Sequence, residues 1–273
     1  MLRNLILLCA AAMAALFAAA PLRAGAPPEM VEARLLPGWR MEDGRHMAAL
    51  RLDLAPGWKT YWRAPGEAGI PPQFDWSRSD NLAGVEVNWP TPHPIRSNGL
   101  SSIGYTDRLI LPLSLTPDRA GRDITLTARI GIGVCSDICV PVTLDLSQVL
   151  PPTGGRPDPQ IVAALANRAM TAQEAGVRRV ACRFTPIEGG LRLRAEIELR
   201  GLGASQTVVV ESGNPNLWVA QGETRREAGG RLRAEAEFYH VDGRNGFSVD
   251  RSGLRITLLN QRRAVEIKGC PAG

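Results

Sequence analysis

The chain has 273 residues, 44% of them hydrophobic and 22% charged, which suits one large or two ordinary globular domains and excludes a disordered chain. Its 32 basic and 27 acidic residues carry a formal charge of +5, and no basic stripe alternates with aromatics, so no nucleic-acid partner is expected. Only Lys59 and Lys268 are lysines; Arg supplies the rest of the positive charge.

The first 24 residues read as an export signal. Met1–Arg3 is a short positive start, Leu5–Ala20 is an almost unbroken apolar run, and Pro21-Leu22-Arg23-Ala24 ends on a small residue, which places cleavage after Ala24. The run is shorter than the roughly 20 residues a spanning helix needs, so removal is favoured over anchoring. Cys9 leaves with the signal. Losing Arg3 and Arg23 leaves 30 basic residues against 27 acidic ones. No later stretch is apolar enough to span a bilayer, so a bacterial periplasm or an extracellular space is the expected location.

Residues 25–150 read as short strands between turn signals. Val31–Leu36, Met47–Leu54, Val85–Trp89, Leu109–Leu115, Ile124–Val134 and Val140–Leu146 are the candidates. Leu50, Leu52 and Leu54 alternate with polar residues, as do Val140, Val142, Leu144 and Leu146. Such period-2 patterns bury one face and wet the other, which points to a β-sandwich. Pro151–Pro157 breaks the pattern as a linker, and Asp158-Pro159 opens an Ala-rich helix to about Ala172, with Asp158 as N-cap. Residues 151–175 are therefore taken as linker and helix. From Val177 the strands return: Leu191–Leu199 and Leu232–Phe238 alternate with charged residues, and Thr207–Val210, Leu254–Leu259 and Ala264–Lys268 complete a second β-rich unit over 176–273.

The chemistry lies with the cysteines. Cys135, Cys139, Cys182 and Cys270 remain after signal removal, an even number that in an exported chain implies two disulfides with three connectivities. Ile124, Leu126, Ala128, Ile130, Ile132 and Val134 share one face of a strand, and Val140, Val142, Leu144 and Leu146 one face of the next. Cys135 and Cys139 both fall on the opposite, wet face. Ser136-Asp137-Ile138 is then a three-residue hairpin loop that sets the two cysteines across from each other. Opposed Cα atoms lie roughly 4.5–5.5 Å apart, within the span a disulfide accepts. In one continuous strand they would be about 13 Å apart. Such turns favour a left-handed residue and Ile138 resists one, so some strain is expected.

The bond has three readings. As a structural staple it closes a very short loop, about 2 kcal/mol by chain entropy, whereas a Cys182–Cys270 bridge closes about 89 residues, about 4.6 kcal/mol. The long loop suits stability. The short outward-facing one suits exchange with partner thiols, and this reading is preferred. Two thiolates are also a ligand pair for copper(I) or zinc, but His46, His93 and His240 stand at no ligand spacing to them, and His93, among prolines, reads as surface loop. No Walker loop, dinucleotide glycine fingerprint, HExxH or GxSxG is present, so no cofactor is expected.

Four motifs in order, Gly57–Gly66 (GWKTYWRAPG), Gly69–Trp76 (GIPPQFDW), Ile103-Gly104-Tyr105 and Val134–Pro141 (VCSDICVP), resemble the N-terminal periplasmic domain of the thiol:disulfide interchange protein DsbD, in the branch of suppressor-of-copper-sensitivity type membrane reductases. The resemblance covers roughly 30–150. It implies an immunoglobulin-like fold there; together with the strand pattern of the second half, the expectation is an all-β chain of two sandwich domains, the first over 25–150. It implies Cys135 and Cys139 as the redox pair, taking electrons from a membrane or thioredoxin-like donor and passing them to periplasmic disulfide proteins, thioredoxin-like or disulfide isomerase. The alternatives are a copper(I) carrier or a non-catalytic module that binds redox partners. Full-length relatives continue into a membrane conduit and a thioredoxin-like domain, so a separate electron donor is expected here. The better-known DsbD pattern has wider cysteine spacing and an aromatic capping loop, and the matching Arg96–Leu100 holds no aromatic. Tyr61, Trp62 and Asp137 are the candidates for a docking surface beside the pair, although the Trp58–Trp76 segment reads first as a packed corner. Cys182–Cys270 is the expected structural disulfide.

Overall fold

The computed structural model describes residues 30–66, 68–97, 99–199, 207–260 and 263–273. The expected signal over 1–24 lies outside them. The described residues are all-β apart from one short helix and one turn of 3-10 helix at Ala228–Gly230. No helix among the described residues is long and apolar enough to cross a membrane.

The first sandwich has two sheets. One runs β1 (Val31–Arg40), β2 (His46–Leu54), β8 (Arg108–Thr116), β5 (Gly84–Val87). The other runs β10 (Cys139–Leu150), β9 (Ile124–Cys135), β3 (Lys59–Gly66), β7 (Leu100–Thr106), β6 (His93–Ser97), with β4 (Gln73–Asp75) on β9. Leu50, Leu52, Leu109 and Leu111 from the first sheet meet Trp62, Ile103, Ala128, Ile130 and Val142 from the second. The alternation of leucines forces this: each strand must bury its apolar row against another sheet.

β2 departs from simple alternation, since Met47 and Ala49 are buried as well. Its outer face is covered by the helix α1 (Pro159–Ala166), whose Ile161 packs with Leu36, Met47 and Ala49. Asp158 caps α1 as expected, accepting from the N–H of Gln160 and Ile161. The helix is shorter than the Ala-rich pattern suggests. It stops at Asn167, and Met170–Thr171 becomes β11, a parallel addition to β18 (Ala264–Lys268). Here pairing with a distant strand overrides helix propensity.

The second sandwich pairs the sheet β11, β18, β17 (Arg255–Leu259), β14 (Thr207–Glu211) with the sheet β12 (Arg179–Ile187), β13 (Gly190–Glu198), β16 (Arg231–His240), β15 (Leu217–Arg226). Val208, Val210, Ile256 and Leu258 face Leu193, Ile197, Ala236 and Phe238 in its core. The intervening Val209 and Leu259, with Ala264, belong instead to the core of the first sandwich. The β14–β17–β18 sheet is thus covered on both faces, which is why Val208-Val209-Val210 and Leu258-Leu259 are unbroken apolar runs. Arg63 closes the same seam. It holds Glu211 in a two-pronged pair at 2.9 and 3.0 Å and Glu266 at 2.8 Å, while its guanidinium lies 4.2 Å over the Trp62 ring.

Among the described residues, β3, β4, β6, β7, β11 and β15 lie outside the alternation pattern. His93, read as loop, opens β6 and is exposed. β3 and β7 fall in the motif-rich stretches, where Trp, Gly and Pro hide period-2 alternation.

Two expectations about stability follow. Cys182 and Cys270 are 5.6 Å apart at Cα, are both buried, and join β12 to the segment after β18, so the bond ties one sheet of the second sandwich to the other. Replacing both by Ala should cost about 4 kcal/mol in denaturant unfolding. His46 is buried, with Nε2 2.6 Å from the Pro37 carbonyl. Burial pushes its imidazole below the ordinary value, against the pull of that hydrogen bond, and Arg40 pushes it further down. Below about pH 6.5 the unfolded chain binds a proton at this site that the native chain refuses. Stability is full above that pH and falls as the pH drops through it. His46→Gln should flatten the loss between about pH 7 and 5.5, measured by urea unfolding at each pH.

Candidate functional site

β9 and β10 pair without a break from Leu150↔Ile124 to Cys139↔Cys135. The even-numbered residues of β9 from Ile124 to Val134 point into the core and are at most 4% exposed. Ser136-Asp137-Ile138 closes the hairpin, with the Ser136 N–H donating to the Ile138 carbonyl at 3.0 Å. Cys135 and Cys139 face each other at a Cα separation of 4.1 Å and are joined by a disulfide. None of the three loop residues takes a positive φ, so the strain expected from Ile138 is absent.

Both cysteines stand on the face opposite the core, but that face is not uniformly wet. Arg129, Thr143 and Asp145 along it are exposed, whereas Gly133 and Cys135 at its end are buried, Cys135 completely. Cys139 alone of the pair is exposed. The expectation of two outward-facing cysteines is corrected to one.

The cover comes from β3 and the loop that follows it. β3 pairs with the tip of β9 through Lys59↔Cys135 and Thr60↔Val134, and the Thr60 hydroxyl donates to the Gly133 carbonyl at 2.9 Å. Tyr61 follows in the same strand. Its ring and Ile70 lie over Gly133 so closely that a Cβ there would stand 2.7 Å from the Ile70 Cβ and 3.2 Å from Tyr61 Cδ2. Only glycine fits that floor. The Tyr61 hydroxyl reaches 3.4 Å from Cys139 Sγ. Burial raises the Tyr61 phenol above its ordinary value, so it stays protonated and can donate to the sulfur.

The docking candidates separate on these grounds. Tyr61 and Trp62 are each 2% exposed and form no surface. Successive strand residues point to opposite faces, so Tyr61 lies against the disulfide and Trp62 enters the core. Asp137 is exposed at the loop. The aromatic shield missing from Arg96–Leu100 is supplied by Tyr61, which sequence reading places at the site's border but not on the sulfur. The largest side chain exposed at the tip is Ile138, at 67%. The sequence signal for it was its misfit as an apolar, β-branched residue in a tight turn.

The cleft of about 640 Å³ between the sandwiches, lined by Trp62, Trp89, Arg168 and Glu266 among others, includes neither cysteine. The pair sits at a hairpin tip that suits a macromolecular thiol better than an enclosed small molecule. Among the described residues no three His, Cys, Asp or Glu side chains gather as a metal site. His46 is held by the Pro37 carbonyl and His240 accepts from the Asp242 N–H, both far from the pair in sequence and in sheet.

With this geometry in place, residues 32–151 match the family described as thiol:disulfide interchange protein DsbD, N-terminal. The fold is shared with the N-terminal periplasmic domain of ScsB from Proteus mirabilis, with a TM-score of 0.65 at 19% identity, covering 89% of this chain and 92% of that one. A comparison with curated proteins found no match. The family match spans the first sandwich; the likeness in fold extends through the second. Residues 32–151 are thus similar in sequence to the DsbD N-terminal family, and the whole chain is similar in fold to the ScsB domain.

Gly133 lies two residues before Cys135 on the same strand face, so the residues packed over it can be tested as the cover of Cys135. Gly133→Ala should displace Ile70 and Tyr61 and cost about 1–3 kcal/mol. In the reduced protein it should also speed alkylation of Cys135, read by mass spectrometry. An unchanged Cys135 rate would show that Tyr61 and Ile70 are not the cover.

Proposed function

We propose, from the premise that residues 32–151 are a DsbD N-terminal-type domain, that this protein relays electrons between proteins by thiol–disulfide exchange at Cys135 and Cys139. The observation that carries the reading is the asymmetry of the pair, one sulfur-bearing residue exposed and the other fully buried. Exchange needs a sulfur that an incoming thiolate can reach, and unequal access directs the attack to one of the two; a staple needs neither.

In the mechanism, a partner thiolate attacks Cys139 Sγ. The Cys135–Cys139 bond breaks, a mixed disulfide forms at Cys139, and Cys135 leaves as a thiolate that takes up a proton. The partner's second thiolate then attacks its own sulfur in the mixed disulfide. The partner leaves oxidised by two electrons and Cys139 is released as a thiolate, reduced. The Tyr61 hydroxyl, 3.4 Å away, donates to that thiolate more strongly than to the neutral disulfide, which favours reduction and primes Cys139. To pass the electrons on, Cys139 attacks a second protein's disulfide and Cys135 resolves the intermediate. Cys139 is therefore the entering and attacking sulfur in both halves.

The partners fitting this chemistry are thioredoxin-like and disulfide isomerase proteins of the periplasm, with electrons supplied by a membrane or thioredoxin-like donor. Export by removal of residues 1–24 belongs to the same reading. Cys182–Cys270, with both residues buried, serves as the structural bond of a second domain, and Asp137 borders the docking face.

The test combines a potential with trapping. The Cys135/Cys139 couple should have a reduction potential above about −300 mV, in the range of exchanging bonds; a lower value would mark a staple and end the proposal. Cys135→Ala should accumulate covalent partner complexes at Cys139. Cys139→Ala, which leaves only the covered sulfur, should accumulate few.

A further inference from the structure

Resting on that reading, we infer that Ile138 is the contact by which the protein selects a protein dithiol over a small thiol: it enters an apolar recess beside the partner's reactive cysteine. Ile138 is 67% exposed and belongs to none of the four apolar clusters of the fold. Its two loop companions, Ser136 and Asp137, are polar, as hairpin loops commonly are. Ile at this position therefore contributes no packing to the folded chain. Its side chain gains only when something else covers it.

The exchange itself dictates what covers it. A mixed disulfide holds its two Cα atoms within about 4.4–6.8 Å. Ile138 adjoins Cys139, with Cα atoms about 3.8 Å apart. A protein whose sulfur is bonded to Cys139 therefore brings its backbone close to Ile138. On the other flank Pro141, exposed and two residues along the same strand face as Cys139, extends the apolar rim, while Asp137 lies exposed at its edge. Inward from Cys139, Tyr61 and Ile70 close off approach. The partner must thus come over the tip, where an apolar side chain stands beside the sulfur. The occupant that fits is a protein dithiol with apolar surface around its reactive cysteine. A small thiol can reach Cys139 without touching Ile138.

The experiment measures the second-order rate of reduction of the Cys135–Cys139 disulfide by two probes, reduced thioredoxin and dithiothreitol, in the full chain. Wild type should react far faster with thioredoxin. Ile138→Asp should slow the thioredoxin reaction at least tenfold and leave the dithiothreitol rate within twofold, and Ile138→Leu should retain most of the thioredoxin rate. Equal slowing with both probes would mean that the substitution acts through the hairpin turn, and no slowing with thioredoxin would mean that Ile138 touches nothing; either overturns the inference. So does a wild type with no preference for the protein dithiol. If neither probe reduces the bond in native protein, the exchange reading itself falls, an outcome distinct from the other three.

Discussion

The pairing of β9 with β10 is the constraint on which the site depends. Ten residues lie between Ile124 and Cys135, and every one of them is in register with its partner on β10. Because side chains alternate along a strand, fixing Ile124, Leu126, Ala128, Ile130, Ile132 and Val134 in the core leaves Cys135 no choice of face. A slip of one residue would turn that entire apolar row outward. The cost of such a slip is far larger than any gain at the tip, so the core holds the disulfide in place from a distance.

The second constraint is β3, which serves three surroundings within three consecutive residues. Tyr61 lies on the disulfide, Trp62 in the core, and Arg63 in the ion pairs with Glu211 and Glu266 of the second sandwich. The strand that carries Tyr61 over the disulfide is thereby anchored to both sandwiches. Arg63 is a short step in sequence from the sulfur contact, and its three hydrogen bonds restrain the strand that carries Tyr61. The second sandwich is packed on the first through Val209, Leu259 and Ala264 as well as through these charges. It is a neighbour that stiffens the site's own strand, not an appendage on a free tether.

Much of the architecture was legible from periodicity. β2, β8, β9, β10, β13 and β16 follow alternating rows of Leu, Ile, Val and Ala against polar residues, and Asp158-Pro159 marks the start of α1 by capping chemistry alone. The three-residue spacing between Cys135 and Cys139 excludes one continuous strand if the two are bonded, and the flanking alternation makes it a hairpin. Less legible were β3 and β7, whose Gly, Pro and Trp residues serve close approach and cover instead of alternation, as Gly133 and its neighbours Tyr61 and Ile70 show. The end of α1 was also hidden, since the Ala-rich pattern continues past Asn167 while the chain pairs with β18.

The amino-acid order by itself determined which residues could pair as strands, that the two cysteines meet across a turn, and that they lie opposite the core face. These follow from local rules: period-2 alternation, loop length and capping. Only the tertiary structure decided that Cys135 is sealed and Cys139 is reached, that Tyr61 is the shield, and that Trp62 is core. Exposure of a strand's second face depends on whether a distant segment, here residues 61–70, folds back across it. No local pattern around the cysteines encodes that return.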